Sequence, residues 1–303
     1  IDLINELRKR GNKVYIVAPN EKRNGKDTFI EKGKNIIMTG NPGTGKTMVA
    51  ANLGATLAQQ GNSVVIVDMD LGLRNLDLYF GLESHVVYDV YDVMTGVCHI
   101  KQALIKDRRF ENLFIIGASP ERDKGDLTPL HARVLCEKLR DQFDYMIIDA
   151  PSGIDDGLVV AAAGADAAII VTAPEYAALR DADIVDRQLQ KLGISERYII
   201  LNKVIAELMS AGYIPRLREI STLVRPELIG VIQNDENINI STNLGIPIVL
   251  KTGTYIQANF QHIVSRLQAA EAEADAAADA DAEVEVGAAT AAGAASDAEV
   301  GAE

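Results

Sequence analysis

A chain of 303 residues with 48% apolar side chains can hold one large α/β domain or two small ones and bury a sizeable core. Its formal net charge of −13 is unevenly placed, because 269–303 carry ten acidic residues and no basic one, leaving −3 on the rest. Neither part has a strongly basic face, which argues against nucleic acid and anionic lipid as partners.

Residues 1–34 read as an N-terminal extension of uncertain fold. Leu3, Ile4 and Leu7 give a short helix-like piece with Gly11 as its stop, and Val14-Tyr15-Ile16-Val17 is strand-like. A nucleotide-binding domain is expected over 35–268. It opens with a short buried strand, Ile36-Ile37-Met38, followed by Gly40-Asn41-Pro42-Gly43-Thr44-Gly45-Lys46-Thr47 and a helical pattern from Thr47 to Gln60. That is the G-x-x-x-x-G-K-[ST] phosphate loop in its strand–loop–helix setting. Its glycines let successive N–H groups converge on a phosphate, and the helix N-terminus adds partial positive charge. Lys46 is expected to reach the β- and γ-phosphates and Thr47 to ligate Mg²⁺.

Beyond the loop, short apolar runs alternate with longer amphipathic ones. The strands are expected at Val64–Asp68, Leu113–Ile116, Tyr145–Asp149, Ala168–Thr172, Tyr198–Asn202 and Leu228–Ile232. Helices are expected at Arg133–Arg140, Ala177–Leu192 and Tyr255–Ala270, the last with Ile256, Phe260, Ile263, Val264 and Leu267 on one packing face. The alternation predicts an α/β fold, a mostly parallel sheet with helices on both faces. The most apolar stretch, Leu158–Ala173, is broken by Gly164 and Asp166 and reads as a helix and a buried strand rather than a membrane span. Cys98 and Cys136 lack metal or disulfide spacing and read as reduced thiols, and the four histidines are scattered. The chain shows no signal peptide, so a soluble cytoplasmic protein is expected. Residues 269–303, almost all Ala, Glu, Asp and Gly, read as a disordered acidic tail.

Open parallel sheets bind ligands beyond the carboxyl ends of their strands. Two strands end there in acid: Val67-Asp68-Met69-Asp70 and Ile147-Ile148-Asp149-Ala150-Pro151. Asp149 matches a Walker B carboxylate, which holds Mg²⁺ directly or through water. No glutamate follows it, which disfavours a ring ATPase. Asp70 either orients an attacking water or caps the next turn. A further strand ends Asn202-Lys203-Val204-Ile205, without the aspartate that reads guanine, so ATP is favoured over GTP and Asn202 can bond an adenine edge. The nucleotide-binding set is therefore Gly40, Gly43, Thr44, Gly45, Lys46, Thr47, Met48, Asp149 and Asn202; the catalytic pair is Lys46 and Asp70; Mg²⁺ is assigned to Thr47, Asp70 and Asp149.

With these residues in view, the chain resembles the MinD cell-division ATPases of the MinD/ParA class from about Ile36 to Leu267. The segments GLRNLDL (72–78), VVYDV (86–90), QALIKDRRFENL (102–113), ASPERDKGDLT (118–128), DAPSGID (149–155), APEYAALRDAD (173–183) and STNLGIPIVL (241–250) carry the resemblance. It implies an ATP-dependent switch: two subunits enclose two ATP molecules, the dimer docks on a membrane and on division-regulator proteins, and a partner triggers hydrolysis. It also places Asp70 in a first switch, Asp149 in a second, and Asn202 on adenine.

Three departures qualify the resemblance. The family's loop has lysine and glycine where this chain has Asn41 and Pro42. That lysine reaches the other subunit's phosphates, and trans-acting cations can be worth roughly 10³–10⁵ in rate. A weakened homodimer with weak turnover is therefore expected, with an ATP-binding scaffold as the alternative reading. The family's basic membrane-binding terminal helix is replaced here by the acidic tail, so membrane docking is disfavoured and a peripheral position at the inner membrane face is the secondary expectation. Residues 1–34 instead resemble the opening of GT-B glycosyltransferases, without a sugar-nucleotide site. A ParA-type partitioning ATPase remains a third reading, although it calls for surface Lys/Arg clusters that this sequence lacks.

Overall fold

The computed structural model describes residues 33–119 and 127–273. The helix and strand expected within 1–32 and the acidic segment beyond 273 lie outside the described residues. Eight strands form one sheet: β1 Lys34–Gly40, β2 Val64–Asp68, β3 Ile105–Lys106, β4 Leu113–Ile116, β5 Tyr145–Asp149, β6 Ala167–Thr172, β7 Glu196–Val204 and β8 Glu227–Gln233. Their order is β3-β4-β2-β5-β1-β6-β7-β8. All neighbours pair in parallel except the edge pair β3–β4, which is antiparallel.

The six expected strands beyond β1 form within two residues of their predicted ends. Their β-branched runs carry no polar alternation because both faces are covered. On one face Ile36, Met38, Ile66, Ile147 and Ile169 pack beneath α1 (Lys46–Gln59) and a final helix over 255–273. On the other, Ile37, Val65, Val67, Ile148 and Ile170 pack beneath α4 (Pro129–Arg140) and α6 (Tyr176–Lys191). The intervening α2 (Val90–Met94), α3 (Ile100–Ala103) and α5 (Asp156–Ala162) are short. Past β7 lie α7 (Ala206–Ser210) and α8 (Leu217–Leu223), and α9 (Glu236–Asn243) follows β8.

Two boundaries differ from the sequence reading. β1 begins at Lys34, inside the expected extension, because its polar start finds partners: Lys34 Nζ donates to Glu196 at 2.7 Å, and the fully buried Asn35 donates from its backbone to Asp166 and from its amide to Gly164 O. At the other end the final helix continues past 269. Glu271 is buried there and accepts the Tyr145 hydroxyl at 2.9 Å. Ile256, Phe260, Ile263, Val264 and Leu267 are all buried, as their spacing predicts. Among the described residues no helix is long and apolar enough to cross a membrane.

Candidate functional site

The loop between β1 and α1 is shaped by left-handed backbone that only glycine adopts without strain. Gly43 and Gly45 have φ of 73° and 92°. A Cβ on Gly45 would collide with the Asn202 amide, and that amide donates to Thr44 O at 2.8 Å. The turn therefore closes only because residue 45 has no side chain and residue 202 supplies a donor. Helix α1 begins at Lys46 with Gly45 as its N-cap, without a side-chain cap and without an acidic residue in its first turn. Its first N–H groups and its dipole thus face the loop, the arrangement that attracts a phosphate. Lys46 is buried and its Nζ donates to Asn41 O at 3.1 Å. Burial lowers its pKa, against the opposing pull of Asp149 and Asp70.

Beside the loop, parallel pairing of β2 with β5 sets Asp68 opposite Asp149. Both are buried. Asp68 accepts the backbone N–H groups of Asp70 at 3.0 Å and Leu76 at 3.2 Å. Burial pushes its pKa up to about 7, although those two hydrogen bonds favour the charged form. Asp149 is different: its buried oxygens have no backbone N–H partner among the described residues, and the nearby Thr47 side chain is the hydrogen-bonding group that favours its charged form. Burial, then the neighbouring Asp68 charge, raises its pKa well above the usual carboxylate range, with the Thr47 side-chain hydrogen bond and the Lys46 charge opposing. A buried carboxylate in this state suits a hard divalent cation. Magnesium usually takes one or two carboxylates and leaves its remaining positions to water and substrate phosphate. Among the described residues no group of three or more His, Cys, Asp or Glu could form an all-protein cage.

A cavity of about 550 Å³ opens over these groups. Gly43, Gly45, Lys46, Thr47, Met48, Asp70 and Asn202 line it. Gly40, Thr44 and Asp149, also expected at the site, are not among the lining residues; Thr44 and Asp149 are buried. Sequence reading missed the rest of the wall. Tyr79 comes from a 3₁₀ turn (Leu76–Phe80), while Asp235, Ile238 and Asn239 come from the start of α9. Asp235 caps that helix by accepting from Asn237 N at 2.7 Å and also accepts the Tyr255 hydroxyl. Asp68 was legible as a strand end but carried no assigned role. Asn41, in the loop, donates from its amide to Asp181 of α6 at 2.7 Å.

A family model described as an AAA domain matches residues 34–197. The septum site-determining protein MinD of Synechocystis is 41% identical over 237 residues, spanning 78% of this chain and 89% of that protein. Among solved structures, MinD in the Aquifex aeolicus MinC:MinD cell division protein complex superposes with a TM-score of 0.73 at 32% identity, covering 78% of this chain and 96% of that one. The septum site-determining protein MinD of Pyrococcus horikoshii, complexed with Mg-ADP, superposes at 0.70 with 27% identity over the same shares.

Proposed function

We propose, from the premise that this chain belongs to the MinD family of septum site-determining proteins, that it is an ATP-hydrolysing switch whose nucleotide state controls a dimer used in placing the division site. The observation that carries the mechanism is an uncapped helix start opening on the cavity, whose first residues Lys46 and Thr47 act on the buried carboxylate of Asp149.

The glycine-shaped loop and the first turn of α1 bind the phosphates through backbone N–H groups, and Lys46 supplies a cation of low hydration. Thr47 and Asp149 are the residues that would hold magnesium, with Asp70 at the cavity wall acting through water. When bound, the ion neutralises charge on the transferring phosphate. Asp70 orients the attacking water, and Asp68 holds the Asp70 backbone in place. Asn202 keeps the loop closed through Thr44, next to the wall that receives the adenine. A division-regulator protein is the proposed partner, in keeping with the MinC seated in the Aquifex complex. The proposed location is cytoplasmic; docking on lipid is disfavoured because the apolar face of the final helix is buried.

Asn41 favours low turnover in the absence of a partner. Its amide is neutral and is directed at Asp181, so it offers no charge to a second subunit's phosphates. A ParA-type partitioning role has less support than division-site placement, since the relatives above are septum site-determining proteins.

Phosphate release by the full chain, with light scattering in ATP against ADP, tests this reading. Slow magnesium-dependent release and an ATP-specific rise in mass are expected; no ATP binding at all would refute it. Asn41→Lys should raise both dimer fraction and turnover, the latter by up to roughly 10³-fold. If neither moves, Asn41 does not limit the switch.

A further inference from the structure

The two cavity walls that sequence reading missed are joined at a point outside the cavity. The 3₁₀ turn Leu76–Phe80 brings Tyr79 to one side, and α9 brings Ile238 and Asn239 to the other. Their far ends touch at two glycines in left-handed conformation, Gly81 (φ 63°) and Gly245 (φ 64°). A Cβ on Gly245 would stand 2.6 Å from Gly81 Cα, so no side chain fits between them. Over this contact lies the guanidinium of Arg109. It donates to Gly245 O at 2.8 Å and to Phe80 O at 2.9 Å. Its Nε and Nη2 meanwhile fork onto the two oxygens of Asp107 at 3.0 Å and 2.5 Å, and Asp107 is 1% exposed.

We propose that Arg109 is a positioning residue for the nucleotide: it locks the 3₁₀ turn against the end of α9 and so fixes the width of the cavity away from the phosphate loop. The assignment rests on the proposed ATP site. Arg109 does not line the cavity and touches neither Lys46 nor Asp149, so it acts through the walls alone. The geometry requires arginine. Five donors in a rigid plane can serve a carboxylate and two carbonyls together, whereas lysine is a single point charge. Asp107 holds the fork in orientation, and the buried ion pair leaves two directed N–H groups free to join the walls.

The test uses the full chain with Arg109→Lys, which keeps a cation beside Asp107, and Gly245→Ala, which pushes the walls apart with Arg109 intact. Both should raise KM for ATP about tenfold, in line with wall mutations that modulate a distant site, with kcat changed less than twofold. Both should also shrink the rise in melting temperature that saturating ATP gives the unmodified chain, because that rise reads affinity for the folded state. A purely structural role predicts otherwise: each variant melts lower by the same amount with and without ATP, and KM is unchanged. That result, in either variant that folds, overturns the proposal, as does a fall in kcat at constant KM. If the unmodified chain itself binds no ATP, the proposed function fails and this assignment fails with it.

Discussion

At the amino ends of the strands, Lys34 lies 2.7 Å from Glu196 and 3.7 Å from Glu271, and the Tyr145 hydroxyl donates to Glu271. At the carboxyl ends, Asp68 and Asp149 sit side by side near Lys46, and among the described residues no backbone N–H reaches the Asp149 oxygens. Both clusters remove charge from water, but their internal accounting differs. The lower cluster pairs a cation with two carboxylates and ties the final helix to the sheet. The upper cluster crowds like charges and pushes their pKa values up, an arrangement that a fold keeps only when something else compensates it. Opposed charge marks an architectural joint here, whereas crowded like charge marks the site.

The contrast can be broken by substitution at either end. The largest effect is expected from Lys46→Ala, which should cut ATP turnover at least about 10²-fold, the scale of losing one preorganised electrostatic contact to the reacting phosphate. Retained turnover, measured as phosphate release, would place the chemistry elsewhere. Asp149→Asn removes the desolvated charge while keeping its shape. Magnesium-dependent turnover should vanish while the nucleotide-free protein gains about 1–3 kcal/mol in urea unfolding, the direction seen when buried charges are replaced. A loss of stability instead would mean that Thr47 and Lys46 already compensate the Asp149 charge. Lys34→Ala leaves Glu196 and Glu271 facing each other. It should cost about 1–3 kcal/mol, discounted because the pair keeps some contact with water, and leave turnover within about twofold. An equal loss of turnover would erase the distinction between the two ends.

Much of this was legible before folding. The phosphate loop, the parallel α/β class and most strands could be read because they depend on local spacing and on short β-branched runs bounded by turn residues. Even Asp68 was visible as a strand end. Its partnership with Asp149 was not, because the two are brought together only when β2 and β5 become neighbours. The Asn202–Thr44 bond likewise spans 158 residues. The packing role of the final helix is legible because its spacing carries that information, whereas the true start of β1 is not, because Lys34 and Asn35 look like loop residues until Glu196, Asp166 and Gly164 satisfy them.

By itself the sequence determined that this chain builds a phosphate-binding loop at the head of a helix, that acidic strand ends accompany it, and that position 41 in the loop carries an amide. These are local patterns in which the chemistry lies in the order of residues. Tertiary structure decided which carboxylates are crowded together, which amide closes the loop, and how Arg109 fastens two walls drawn from residues 80 and 245. Those properties depend on strand order and on groups far apart in the chain losing water together. No window of sequence contains them.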